Sequence, residues 1–184
     1  MDFYIDLQVL PDPEFKETVL MNALCAKLHR ALFDRRKGDI GISFPKAGKS
    51  LGSLLRLHGQ EAALTELSQT TWLRGLRDYT ESTGVHPVPA GCDHYRVERV
   101  QVKSSAERLR RRSVKKGWLS EEEARECIVD SSEKKSNLPF LQLKSQSNGQ
   151  MFRLFIRHSA VVSQPLDGEF SHYGLSKNAT VPRF

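Results

Sequence analysis

Arg99 and Gln101 stand two residues apart, and both side chains can read a nucleobase through paired hydrogen bonds. Arginine fits the Hoogsteen edge of guanine and glutamine that of adenine. At i and i+2 on one strand face they would address adjacent bases. A plain polar surface face is the commoner meaning of such spacing. The charge around the pair narrows the choice. From Arg96 to Lys116 the chain reads RVERVQVKSSAERLRRRSVKK, nine Lys/Arg against two Glu, a net of +7. The whole chain is +6, so the remaining residues sum to about −1 (6 − 7). One dense basic patch on an otherwise balanced protein is the footprint of a nucleic-acid binder.

The carriers of that charge are Arg108, Arg110, Arg111, Arg112, Lys115 and Lys116. A helix bearing them can neutralise several phosphates, with steeply salt-dependent affinity. A-form RNA hides its major groove from side chains, so such a helix enters only near a hairpin end, where the groove opens. Charge alone does not separate RNA from DNA. His29 lies beside Lys27 and Arg30, and a lone histidine on a helix is more often structural or simply exposed. Ser145, Ser147 and Tyr173 supply hydroxyls in the C-terminal half. Phe152, next to Arg153, is either core or a base-stacking platform.

Elements must position these groups. Phe3 to Leu10 alternates and reads as a strand. Asp12-Pro13-Glu14 is a helix start, and the helix should run to about Phe33 with Val19, Leu20, Ala23, Leu24, Ala31 and Leu32 on its apolar side. Strands follow at Asp39–Phe44 and Leu54–His58, then a helix at Gln60–Leu67 and a helical turn within Trp72–Tyr79. That β-α-β-β-α order opens a ferredoxin-like unit. Gly84 to Cys92 (GVHPVPAGC) reads as a linker. Beyond it, a strand over His94–Lys103 would place Tyr95, Val97, Arg99, Gln101 and Lys103 on one face. Ser104 with Glu107 forms a possible capping box for the basic helix, which Gly117 stops. A short helix begins at Ser120. Phe140–Lys144 and Phe152–His158 are strands joined by SQSNGQ, whose Asn148-Gly149 is a hairpin signal.

The 184 residues fit one domain or two small ones. No run of about 18 apolar residues occurs, which excludes a spanning helix, and MDFYIDLQVLPDPEF lacks the basic start of a secretory signal. The three cysteines form no CxxC pair, and the six histidines form no HxxxH or HExxH cluster. The expectation is an intracellular protein without metal.

The chain closely resembles the CRISPR repeat-processing endoribonucleases of subtype I-F systems. The likeness runs nearly end to end. It is carried by MDFYIDLQVLPDPEF, LMNALCAKLHRAL, RVQVKSSAERLRRR, LSEEEAR, LPFLQLKSQSNGQMFRLFIRH and YGLSKNATVPRF. The resemblance implies an α+β protein. A ferredoxin-like (RRM-like) domain over residues 1–93 would carry His29. An α/β RNA-recognition region over 94–184 would carry the exposed arginine-rich helix and the other site residues. It implies binding of the CRISPR repeat stem-loop and cleavage of precursor crRNA at the 3′ base of the stem, with no cofactor or metal. By matching motif, His29 is the proton-transfer residue, Ser145 holds the attacking 2′-hydroxyl, and Tyr173 orients the histidine. Arg99 and Gln101 read bases at the bottom of the stem. Phe152 stacks below the last base pair, and Ser147 lies near the scissile region. Arg108, Arg111, Arg112, Lys115 and Lys116 belong to the groove helix. The family's proteins stay on the mature crRNA within a type I-F interference complex. The implied state is a cytoplasmic prokaryotic protein, monomeric when free and away from membranes.

The chemistry fits. Attack by a neighbouring 2′-hydroxyl needs a base active near neutral pH, which imidazole supplies, and in-line positioning. It leaves a 2′,3′-cyclic phosphate (or the 3′-phosphate) and a 5′-hydroxyl. Two departures stand out. Lys115 and Lys116 occupy positions where the family pattern has arginine, so phosphate contact is expected there without bidentate base reading. Residues 34–53 and 130–137 follow the pattern poorly, and outside the strand at Asp39–Phe44 they are expected to be loops. A non-catalytic subunit capping the crRNA hairpin is the second reading, and a DNA-binding regulator the third.

Overall fold

The computed structural model describes residues 1–101, 106–128, 136–145 and 148–184, with the backbone alone at 106–108. The protein is α+β with antiparallel sheets. Strand β1 (Phe3–Val9) lies between β3 (Leu54–Gly59) and β4 (Thr80–Ser82), and β2 (Gly41–Ser43) flanks β3. The order β2-β3-β1-β4, with helix α1 (Glu17–Arg35) after β1 and α2 (Glu61–Gln69) after β3, is the ferredoxin-like arrangement. The two-residue β5 (His86–Pro87), inside the expected linker, also pairs with β1.

Alternation along β1 buries Ile5, Leu7 and Val9 against α1, whose own buried face is Leu20, Met21, Leu24, Cys25, Leu28 and Leu32. That stripe is rotated from the expected one, and Val19 is exposed. The helix start differs as well. The Asp12 carboxylate accepts the Glu14 and Phe15 N–H groups in a local turn, so α1 begins only at Glu17.

The expected strand over His94–Lys103 is broken. Ser159 accepts the Arg96 N–H on its hydroxyl and donates its own N–H to the Arg96 carbonyl, which ends one pairing and starts another. Strand β6 (Asp93–Tyr95) pairs with β10 (Val181–Arg183). Strand β7 (Val97–Val100) joins β9 (Met151–His158) and β8 (Phe140–Lys144) in the order β7-β9-β8. The described strand ends at Val100, so Gln101 lies outside it, in exposed coil.

Compactness divides the chain into residues 1–100 with 138–184, and residues 101–137. The second unit holds α3 (Ala106–Lys115) and α4 (Glu121–Cys127). Helix α4 has a complete capping box: the Ser120 hydroxyl accepts from the Glu123 N–H, and the Glu123 carboxylate accepts from the Ser120 N–H. The box expected at Ser104 and Glu107 lies outside the described side chains. No helix among the described residues is long and apolar enough to cross a membrane.

Candidate functional site

Position 29 sits on the flank of the buried stripe of α1, where a helical side chain is held at its base and open at its tip. His29 is accordingly half-buried. Its environment is completed by a tight turn at residues 171–174. The Gly174 N–H donates to the Ser171 carbonyl at 2.7 Å, and the Gly174 carbonyl accepts from the Ile42 N–H of β2 at 2.9 Å. Gly174 has φ 69°, and a Cβ there would come within 2.6 Å of Ile42 Cγ2, so this turn requires glycine.

The turn presents two groups to the histidine. His29 Nδ1–H donates to the His172 carbonyl at 3.0 Å. The Tyr173 ring lies flat on the imidazole, with centroids 3.9 Å apart and planes 4° from parallel. A carbonyl only accepts, so the proton of the neutral ring is assigned to Nδ1 and Nε2 keeps its lone pair. The ring is thereby left one nitrogen for proton exchange, with one face covered by the stacked phenol. Phe33, one turn on, sets its ring edge-on to both His29 and His172, at 6.4 and 5.1 Å. Burial raises the Tyr173 phenol above its ordinary range while the Arg99 guanidinium opposes that, which places Arg99 within electrostatic reach of the stack.

Arg99 arrives there from β7. The register pairs Val97 with His158 and Arg99 with Ile156. Alternation puts Arg99 on the face that carries Ile156, Leu154 and Phe152 of β9 and Leu141 and Leu143 of β8. Those leucines and Ile156 belong to the same core as α1, and the Gln142 N–H of β8 donates to Asn22 Oδ1 of α1. Arg99 is therefore the exposed outer member of an inward-facing row, and Phe152 is a half-buried one packed on the core.

Ser145 is the first residue after β8, half-buried. Its N–H donates to the Gln150 carbonyl at 2.8 Å and its carbonyl accepts from the Gly149 N–H at 2.9 Å, closing the β8–β9 connection. Ser147 lies outside the described residues.

In the second unit, Arg111, Arg112, Lys115 and Lys116 are exposed at the described end of α3. Arg108 is on the helix, with its side chain outside the description. The Arg110 Nε–H donates to the Ile128 carbonyl at 2.7 Å and ties α3 to the end of α4. A groove of about 360 Å³ between the two helices is lined by basic residues, by Val114 and Ala124, and by Glu121.

The structure thus joins His29 to Tyr173 directly, and the Arg99 guanidinium acts on the Tyr173 phenol. Sequence reasoning missed the His172 carbonyl, because a backbone acceptor leaves no side-chain signature. It also missed Phe33, whose i,i+4 spacing from His29 was available to be read. Among the described residues, no three His, Cys, Asp or Glu side chains are grouped to hold a metal ion.

Residues 4–184 match the family model described as CRISPR-associated protein (Cas_Csy4). The chain is 53% identical over 184 residues to the CRISPR-associated endonuclease Cas6/Csy4 of Escherichia coli (strain UTI89 / UPEC), covering 100% of both. It is 46% identical over 187 residues to the protein of that name from Pseudomonas aeruginosa (strain UCBPP-PA14), again covering 100% of both.

Proposed function

Because this chain belongs to the Cas_Csy4 family of CRISPR-associated proteins, we propose that it is the endoribonuclease that processes CRISPR repeat RNA. It binds the repeat stem-loop and cuts precursor crRNA at the 3′ base of the stem. The observation that carries the reading is the state of His29: Nδ1 committed to a fixed carbonyl, one ring face covered by Tyr173, and Nε2 left for proton transfer.

Nε2 takes the proton from the 2′-hydroxyl beside the scissile phosphate. The 2′-oxygen bonds to phosphorus, the bond from phosphorus to the 5′-oxygen breaks, and the proton passes from the imidazolium to that leaving oxygen. The products are a 2′,3′-cyclic phosphate and a 5′-hydroxyl, with no net change in the enzyme and no metal in the balance. Ser145 holds the 2′-hydroxyl in line with the leaving group, a geometric contribution. Tyr173 and the His172 carbonyl orient the ring. Arg99 and Gln101 read bases at the stem base, Phe152 stacks beneath the last pair, and Ser147 lies near the cut. Arg108, Arg111, Arg112, Lys115 and Lys116 hold the stem through its phosphates. Residues 1–93 form the domain carrying the catalytic histidine, and residues 94–184 the RNA-recognition region. The protein acts in the cytoplasm as a monomer, then remains on the mature crRNA within the interference complex.

The test is a repeat hairpin with a 3′ extension, incubated with the purified chain in EDTA. We expect one cut at the stem base, a 5′-hydroxyl that polynucleotide kinase can label, and no cut when the attacking 2′-hydroxyl is replaced by hydrogen. His29→Ala should bind the hairpin and leave it intact. Cleavage of the 2′-deoxy hairpin at the normal rate would overturn the mechanism. Tight binding without a cut across a panel of I-F-type repeats would favour the non-catalytic subunit.

A further inference from the structure

Trp118 is the most exposed large apolar side chain among the described residues, at 64%. It is nonetheless held firmly at its backbone. Helix α3 ends in a Schellman arrangement: the Gly117 N–H donates to the Val114 carbonyl and the Trp118 N–H to the Ser113 carbonyl, both at 2.9 Å, with Gly117 at φ 68°. In that motif the residue at Trp118's position usually packs on an apolar side chain one turn back. Here the residues one turn back are Ser113 and Arg112, so the indole has no such partner on its helix. Its ring contact is instead a cation, Lys116 Nζ, 4.6 Å from the ring centroid. A rigidly mounted, open indole thus sits at the tip of a helix whose last turns expose Arg112, Lys115 and Lys116.

We propose that Trp118 is a stacking site for an unpaired base in the loop of the RNA hairpin. The inference rests on the reading of the chain as a stem-loop binder. Bases within a duplex are stacked on both faces and offer an indole nothing, whereas a loop base has a free face. A helix reaches into A-form RNA only where the groove opens near a stem end. The tip of such a helix is the part that can arrive at unpaired nucleotides. The lysines beside the ring neutralise the phosphates that flank the stacked base. Stacking on indole tolerates any base, so this contact adds affinity and sets which end of the stem the helix tip meets, without reading a letter.

The experiment compares two hairpins, one intact and one with abasic loop nucleotides, by anisotropy of labelled RNA. Trp118→Ala should weaken binding of the intact hairpin by about five- to a hundredfold. It should change binding of the abasic-loop hairpin less than about twofold. Trp118→Phe should recover most of the loss, since it keeps a π-face. In a Trp72→Phe background, where emission reports Trp118 alone, the intact hairpin should quench fluorescence and the abasic one should not. Equal losses on both hairpins, no loss, or unquenched emission at saturation would overturn the stacking site while leaving the nuclease reading untouched. If the unaltered chain fails to bind the hairpin at all, both readings fall together.

Discussion

Helix α1 buries Leu20, Met21, Leu24, Cys25, Leu28 and Leu32 and holds His29 at the margin of that stripe, whereas α3 exposes Arg111, Arg112 and Lys115 and reaches α4 through Arg110 and Val114. The two helices meet opposite demands. The proposed proton transfer needs one ring held in place, and His29 is on a helix packed along the core with its ring held by a carbonyl and a stack. On the proposed reading, phosphate recognition falls to exposed cations on α3, a helix packed against α4 along one edge. On the proposed mechanism, position decides activity on the first helix and charge decides affinity on the second.

The largest expected effect tests that division directly. His29→Ala should lower the single-turnover rate by about 10²- to 10⁴-fold with hairpin affinity nearly unchanged. Arg112→Ala should do the reverse, weakening binding and reducing the slope of log K against log[salt] by about one contact's worth, with the rate at saturating RNA retained. A gel assay at saturating enzyme and a salt titration separate the two. Loss of rate in Arg112→Ala at saturation would erase the division.

Next comes the turn that fixes the ring. In Gly174→Ala the new Cβ meets Ile42 Cγ2 at 2.6 Å in a left-handed conformation, so the turn must shift. We expect about 1–3 kcal/mol of destabilisation by denaturant titration. The cleavage rate should fall with little change in hairpin affinity, because the His172 carbonyl moves with the turn.

Periodicity made much of this legible. Strands β1, β8 and β9 alternate, β3 is a short apolar-rich run, and α1 and α2 show helical spacing, so these elements were readable, with α1 beginning later than expected. The short β4 and β5 were not, since two or three residues become strand only through register with β1. The break at Arg96 is equally tertiary, imposed by Ser159 from sixty-three residues away. Of the site, the side chains and their matching motifs were readable, while the carbonyl that sets the His29 tautomer was not.

Acid should act on the core and spare the cationic helix. His58 is fully buried, its Nε2 is 2.8 Å from Ser43 Oγ, and burial with the neighbouring Arg56 guanidinium holds its protonation well below the ordinary imidazole range. His158 is lowered in the same direction by burial. Below about pH 6.5 the unfolded chain takes up protons at these rings that the folded chain refuses. Stability is therefore full above that pH and falls as pH drops toward the lowered folded values, by up to about 1.4 kcal/mol per pH unit for each ring. Denaturant titrations between pH 7.5 and 5 should show the loss, and His58→Gln should show less of it. Hairpin binding should persist until the core unfolds. A flat stability profile would show that neither ring titrates differently on unfolding.

The smallest effect separates what Tyr173 does as a ring from what it does as a phenol. The stack at 3.9 Å involves the ring alone, and burial keeps the phenol neutral at physiological pH. Tyr173→Phe preserves the stacked face and removes only the hydroxyl, so cleavage should fall no more than a few-fold. Tyr173→Leu fills similar space without a π-face and withdraws the attraction for imidazolium, about 0.5–2 kcal/mol, or roughly two- to thirtyfold in rate. The order Tyr, Phe, Leu in single-turnover rate, at equal hairpin affinity, is what orientation and charge stabilisation by a stacked ring require. If Phe falls as far as Leu, the hydroxyl carries the role, and a contact from the phenol oxygen to the RNA replaces the stack as the reason for tyrosine at this position.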